Sequence, residues 1–168
     1  KEVVMLLRHS SIQEKNISID IECACPGARI LADDEQIRQV FLNIMINACE
    51  AMEPHGTLSI AIGNVRAQLD EERTEENCIR IDFENDGSPI PADVLPRLFE
   101  PFFTTKEGGT GLGLAIAARI IESHRGQIKV DSPKGSSTVF SVFIPVMSRQ
   151  LEPECPEEIE ILQTFACI

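Results

Sequence analysis

"EPFFTTKEGGTGLGLAIAARIIE", residues 100–122, gathers four glycines, Lys106 and the pair Thr104–Thr105 just ahead of an apolar helix pattern. Glycine carries the largest backbone entropy cost, so a cluster is kept where the chain must turn sharply or let a ligand approach its backbone. The start of a helix adds free N–H groups that attract anions. A flexible linker is the plainer reading of a glycine-rich run, but immediate entry into an apolar helix weighs against it. The stretch points to a bound phosphate.

Composition bounds the alternatives. A chain of 168 residues that is 43% hydrophobic and 25% charged is one domain with at most an appendage, long enough to bury a core. Without Trp or Tyr, that core rests on aliphatic residues and eight Phe. A net charge of −12 argues against nucleic acid as a partner, since phosphates would be repelled. No apolar run reaches the roughly 18 residues of a membrane span, and no signal peptide is visible. The six cysteines, at 23, 25, 49, 78, 155 and 167, form no C-x-x-C pair and have no histidine close in sequence. Free thiols are therefore expected, and with them a reducing, cytoplasmic compartment. The chain begins at Lys1 rather than methionine, and the expectation is a piece excised from a larger parent.

Outward from the opening stretch, hydrophobic periodicity assigns the remaining elements. "KEVVMLLRHSS" has helical spacing and reads as the end of a helix. "NISIDIECA" alternates Ile17, Ile19 and Ile21 with polar residues as a half-buried strand does, and "ARIL" is a second short strand. "ADDEQIRQVFLNIMINACEAME" reads as a helix, with acids in its first turn and Pro54 beyond its end. "GTLSIAIGNV" and "CIRIDFEN" are strands, and the acidic "RAQLDEERTEEN" between them is a solvated hairpin loop. "ADVLPRLFE" reads as a short helix and "LGLAIAARIIESH" as a longer one, with Gly126 as its expected C-terminal cap. "QIKVDSP" and "STVFSVFIP" close the pattern as a hairpin. The expected architecture is α+β: a two-layer sandwich of a mixed, mostly antiparallel sheet with helices on one face.

On a helical wheel, residues 36–52 divide into a broad apolar arc, a second apolar patch and a narrow polar stripe between them. The stripe holds Gln36, Gln39, Asn43, Asn47 and Glu50. Asn43 and Asn47, at i and i+4, project together from a largely buried helix, where amides need partners. Either they satisfy loop carbonyls, or an amide oxygen ligates Mg²⁺, an ion that favours a few hard oxygens alongside phosphate and water.

Four motifs in order, "QVFLNIMINACEAM", "FENDGSPIP", "LFEPFFTTK" and "EGGTGLGLAI", resemble the N box, first glycine box, F box and second glycine box of sensor histidine kinase catalytic domains. The resemblance covers about residues 1–146 and is closest to the nitrogen-regulator and sporulation branches. It implies the Bergerat-type ATP-binding sandwich shared with gyrase, chaperone and mismatch-repair ATPases. It also implies ATP and Mg²⁺ as ligands. Asn47 would ligate Mg²⁺ and Asn43 would support the phosphate site, both with Lys106 as catalytic-site residues. Thr105, Gly109, Thr110, Gly111, Leu112 and Gly113 would cradle the triphosphate, with Thr104 adding a hydroxyl. "LFEPFF" would hinge the lid and dock it on the partner helices.

Two positions depart from the family pattern. Glu50 stands where many members carry a base, so a phosphate contact there is doubtful. In "NDGSPIP", Asn85 stands where an Asp usually accepts the adenine amino group, Gly87 takes the first glycine position and Pro89 the second. Asn85 is the expected adenine contact, without charge assistance. Asp86 is adjacent but should face the other way in an extended segment.

The implied function is the nucleotide half of a protein-histidine kinase, presenting γ-phosphate to a histidine on an upstream dimerisation helix. His9, His55 and His124 lack the acceptor motif, so the acceptor is expected to be absent from this chain. Expected boundaries are residues 1–15 for the end of an upstream helix and linker, 16–147 for the catalytic domain, and 148–168 for an acidic tail. Expected partners are ATP, the parent's phosphoacceptor helices and a response regulator, with the chain alone monomeric. The alternatives are an anti-sigma-type serine kinase and a nucleotide-binding scaffold without transfer.

Overall fold

The computed structural model describes residues 16–25, 29–52, 54–70, 74–146 and 158–160. The expected helix end at "KEVVMLLRHSS" lies outside them.

One helix organises the domain. Strands β1 (Asn16–Cys23) and β2 (Arg29–Leu31) lead into α1 (Asp34–Ala51). Asp33 caps α1, its carboxylate accepting the Gln36 N–H at 3.0 Å, and Asp34 and Glu35 complement the helix dipole. Strands β3 (His55–Ala67) and β4 (Glu76–Asn85) follow, longer than the alternation indicated, which confines the acidic connection to residues 68–75. Helix α2 (Gly113–Ser123) precedes the hairpin β5 (Gln127–Asp131) and β6 (Thr138–Pro145).

The main sheet runs β1-β3-β4-β6-β5. All neighbours are antiparallel except β1 and β3, which are parallel and paired from Asn16↔His55 to Cys23↔Ile62. A parallel pair needs a crossover, and β2 with α1 supplies it. Helices α1 and α2 pack on each other and against one face of the sheet, giving the expected two-layer sandwich.

The core lies between the layers. From α1 it takes Ile37, Val40, Phe41, Ile44, Met45 and Ala48; from the sheet Leu58, Ile60, Ile81, Phe83, Phe140 and Val142; from α2 Ala117 and Ile121. The Phe41 and Phe83 rings meet at 5.5 Å in a tilted pair. The opposite face mixes polar residues with a small apolar cluster. On it Arg80 bonds Asp82 at 2.8 Å, and Ser141 donates to the same Asp82 oxygen at 2.6 Å. Phe143 packs with Leu69 and Cys78, with the Arg80 guanidinium 5.6 Å and the Lys129 ammonium 5.3 Å from its ring centre.

Three local expectations change. "ADVLPRLFE" forms turns and a 3₁₀ segment, Leu95–Arg97, because Pro96 cannot donate to a longer helical ladder. The left-handed residue closing α2 is Arg125, at φ 59°, rather than Gly126, although the Gly126 N–H does bond the Ile121 carbonyl at 2.8 Å. Within residues 148–168, a strand β7 (Glu158–Glu160) pairs antiparallel with β2, so that tail segment returns to the body.

The start of α1 is also tied to the end of α2. His124 Nδ1 lies 2.8 Å from the Ile120 carbonyl, which selects the tautomer with Nδ1–H donating; Nε2 then accepts the Asp33 N–H at 3.2 Å.

Cys23, Cys25, Cys49 and Cys78 are free thiols. Burial pushes the Cys25 thiol up, helped by the charge and hydrogen bond of Cys23; burial followed by Glu76 does the same for Cys78. Among the described residues no helix is long and apolar enough to cross a membrane.

Two outcomes are expected. Phe83→Ala should lower unfolding free energy by about 3–5 kcal/mol in urea titration. Because the folded protein holds the protons of Cys25 and Cys78 above the ordinary thiol range, their contribution is intact below pH about 8.5 and fades as pH rises further. Urea midpoints should therefore decline above that pH, and less so in Cys25→Ala/Cys78→Ala.

Candidate functional site

The polar stripe of α1 faces a cleft whose other walls are the segment 103–111, the start of α2, and Val94 with Leu98. The stripe is built by i,i+4 spacing: Gln39 Nε2 donates to Asn43 Oδ1 at 2.8 Å, which leaves Asn43 Nδ2 directed at the Gly113 carbonyl, 2.9 Å away. Asn43 thus serves a main-chain carbonyl, one of the two roles open to it from the sequence. Asn47 instead meets a cation, its Oδ1 accepting from Lys106 Nζ at 2.9 Å. The same ammonium lies 2.6 Å from Glu50 Oε2. The oxygens around Lys106 are therefore an amide and a carboxylate, hard donors of the type Mg²⁺ takes, and the residues present fit that ion. Glu50, doubtful as a phosphate contact, pairs with the lid lysine.

The glycines divide by physical need. Gly111 sits at φ 66°, and a Cβ there would come within 2.5 Å of the Phe102 carbonyl carbon, so only glycine fits. Its carbonyl accepts the Phe102 N–H at 2.9 Å, pinning the two ends of the segment together. Gly109 and Thr110 line the cleft, as do Thr104 and Thr105; Gly113 also lines it and has room for a Cβ. Leu112 occupies the N-cap position of α2 without a side-chain cap, and Ile116 N–H is the donor that closes on its carbonyl at 2.9 Å. The N-cap side chain therefore leaves the first-turn N–H groups of this 11-residue helix unclaimed.

Around the F-box motif the apolar residues separate. Leu98 and Phe99 pack against the core. Phe103 lines the cleft beneath the Arg97 guanidinium, 4.2 Å from its ring centre. Phe102 is 76% exposed, at φ 65°.

Asn85 and Gly87 lie outside the lining of this cleft. Asn85, at the end of β4, is 1% exposed. Its Oδ1 accepts the Gly87 N–H at 3.2 Å and its Nδ2 reaches the Thr138 carbonyl at 3.4 Å. Gly87 is compact by necessity, since a Cβ would sit 2.6 Å from the Ala51 carbonyl oxygen at the end of α1. Asp86 points the other way, both its oxygens accepting the Thr57 N–H, at 3.0 and 3.1 Å.

Two buried residues that the sequence reading passed over join Asn85. Thr138 pairs across from it in the β4–β6 register, and its hydroxyl meets Ser132 Oγ at 2.7 Å. Ser132 Oγ also accepts the Ile90 N–H at 2.8 Å. For Thr138 the signal available was a hydroxyl residue opening a mostly apolar strand; Ser132, just beyond β5, carried none.

Residues 32–148 match the family of histidine kinase-, DNA gyrase B- and HSP90-like ATPases, and the chain belongs to that family. It is 41% identical over 122 residues to sensor histidine kinase ZraS of Salmonella typhimurium, covering 73% of this chain and 24% of that protein. It is 37% identical over 131 residues to sporulation kinase E of Bacillus subtilis, covering 78% of this chain and 16% of that protein. The chain thus spans a quarter or less of these relatives. In structure it resembles the catalytic domain of histidine kinase ThkA, with TM-score 0.68, 34% identity, and 86% and 88% of the two chains covered. A complex of ThkA with the response regulator TrrA matches at TM-score 0.65 and 31% identity over 87% of this chain and 39% of that one.

Gly111→Ala should break the close approach to Phe102 while leaving the core intact. The expected outcome is a loss of at least about 1 kcal/mol of stability and faster amide exchange confined to residues 102–111, read by hydrogen-exchange mass spectrometry.

Proposed function

We propose that residues 16–147 are the ATP-binding catalytic domain of a sensor histidine kinase, with residues 1–15 leading in from an upstream helix and 148–168 an acidic appendage. The observation that carries this is the convergence on one cleft of the Asn47 amide oxygen, the Lys106 ammonium and the uncapped start of α2. The kinase names of the relatives and of ThkA support the same reading.

Phosphoryl transfer is largely positioning and charge stabilisation. Asn47 Oδ1 would hold Mg²⁺, which when bound neutralises charge on the phosphate oxygens. The first-turn N–H groups of α2 aim partial positive charge at the triphosphate. Lys106 adds a full charge on a mobile stem, Thr104 and Thr105 add hydroxyl donors, and Gly109 and Gly111 let the backbone come close. Asn43 holds the Gly113 carbonyl and so orients the helix start. At the other end, Asn85 would accept the adenine amino group above the Ser132–Thr138 pair.

The reacting histidine belongs to the parent's helical hairpin. Its ring nitrogen attacks the γ-phosphorus, the bond to the β–γ bridging oxygen breaks, and ADP leaves with that oxygen. His124 is engaged at both ring nitrogens, which suits a structural role. A response regulator then receives the phosphoryl group, a partner supported by the ThkA complex. Free thiols at four described cysteines support a reducing cytoplasm. The chain alone is read as monomeric.

One observation favours a second reading, a nucleotide-binding scaffold without transfer: the Asn85 oxygen is engaged by the Gly87 N–H.

Calorimetric titration with ADP and a non-hydrolysable ATP analogue separates the two. Mg²⁺-dependent binding is expected, weakened about tenfold or more in Asn47→Ala, since a hydrogen-bond or ligand contact to a charged group is worth about 1.5–3 kcal/mol. Incubation with ATP should leave no phosphohistidine on this chain alone, whereas the parent's helical hairpin supplied in trans should become labelled. Binding with no labelling of the hairpin favours the scaffold, and no saturable binding at millimolar nucleotide defeats both.

A further inference from the structure

We infer that Glu50 is a positioning residue that holds Lys106 across the Asn47 amide oxygen, so that the cleft is latched shut by the protein's own cation. The inference rests on the nucleotide-site reading above and adds a control to it. Lys106 Nζ lies 2.6 Å from Glu50 Oε2, 2.9 Å from Asn47 Oδ1 and 3.5 Å from the Asn47 carbonyl. An ammonium has three donors, and all three are directed at one turn of α1.

Sequence spacing makes the arrangement possible. Asn47 and Glu50 are three residues apart, neighbours on one helical face, so one lysine reaches both. On the lid side, Lys106 N–H bonds Thr104 Oγ1 at 3.1 Å, and its carbonyl accepts the Gly109 N–H at 3.2 Å. The lysine therefore projects from a braced turn, and pinning its head pins the turn. The cleft that results is a partly open depression of about 210 Å³, below the roughly 300–1,000 Å³ of ligand pockets.

Lys106 occupies the atom assigned to the divalent cation. Two positive charges on one amide oxygen repel, so Lys106 and Mg²⁺ exclude each other there. Entry of the metal–nucleotide complex requires Lys106 to swing off Asn47, and the same movement frees its charge for the phosphates. Glu50 sets how tightly the lysine is held beforehand. A basic residue at position 50 would repel Lys106 and leave the lid unpinned.

The test is hydrogen-exchange mass spectrometry on the 168-residue chain without nucleotide or metal, following residues 104–112. The Glu50 and Lys106 side chains are 46% and 38% exposed, which limits a pair to modest strength. Glu50→Gln should therefore speed lid exchange about two- to five-fold, with Lys106→Met doing the same. The reversed pair Glu50→Lys/Lys106→Glu should slow it back toward wild type, a rescue that loss of helix packing could not produce. Unchanged exchange in Glu50→Gln, or a reversed pair as fast as the single variants, overturns the latch. A parallel Mg·ADP titration of wild type keeps the two questions apart: failure to bind defeats the nucleotide reading, while the exchange data still decide the latch.

Discussion

The hydrogen bond from Asn43 to the Gly113 carbonyl is the joint on which the cleft depends. Helix α1 must bury one face against the sheet, and α2 must pack beside it, yet the backbone between β4 and α2 is long and mostly irregular. A single amide, itself oriented by Gln39, fixes where that backbone re-enters regular structure. The start of α2 is thereby set against the polar stripe of α1. Losing the amide would leave the Gly113 carbonyl to its intrahelical partner and remove the polar tie between the start of α2 and α1.

The other end of the same segment is held under strain. Phe102 adopts a left-handed backbone conformation that non-glycine residues avoid, and it keeps a large ring in water. The bond from its N–H to Gly111 offsets part of that cost. Between these two joints, beyond Phe103, the described tethers of the lid turn are polar contacts of partly exposed groups. Such a segment belongs to the low-stability end of the molecule, where motion is possible without disturbing the core.

Much of this was legible in the sequence. The apolar arc and asparagine stripe of α1 follow from helical periodicity with Asp33 and Pro54 as punctuation. The strands follow from alternation, and the order of four motifs carries the fold. What escaped has a common physical cause, namely a partner distant in sequence. Glu50 is an anomaly until Lys106 is seen beside it, and Thr138 is one more strand residue until the register sets it across from Asn85. The strand at Glu158–Glu160 has no legible signal of its own, because a three-residue pairing is defined by the strand it meets. At 92–100 a local rule was available and outweighed: apolar spacing suggested helix, while Pro96 forbade its continuation.

The face of the sheet turned away from the helices carries its own device against stacking. A phenylalanine on the outer face of a sheet becomes an adhesive spot if left bare, and Phe143 is buried there against Leu69 and Cys78. The Arg80 and Lys129 cations lie over its ring. Stacking a second sheet there would strip water from both cations. The aromatic ring is thereby kept for internal packing and made a poor nucleus for self-association.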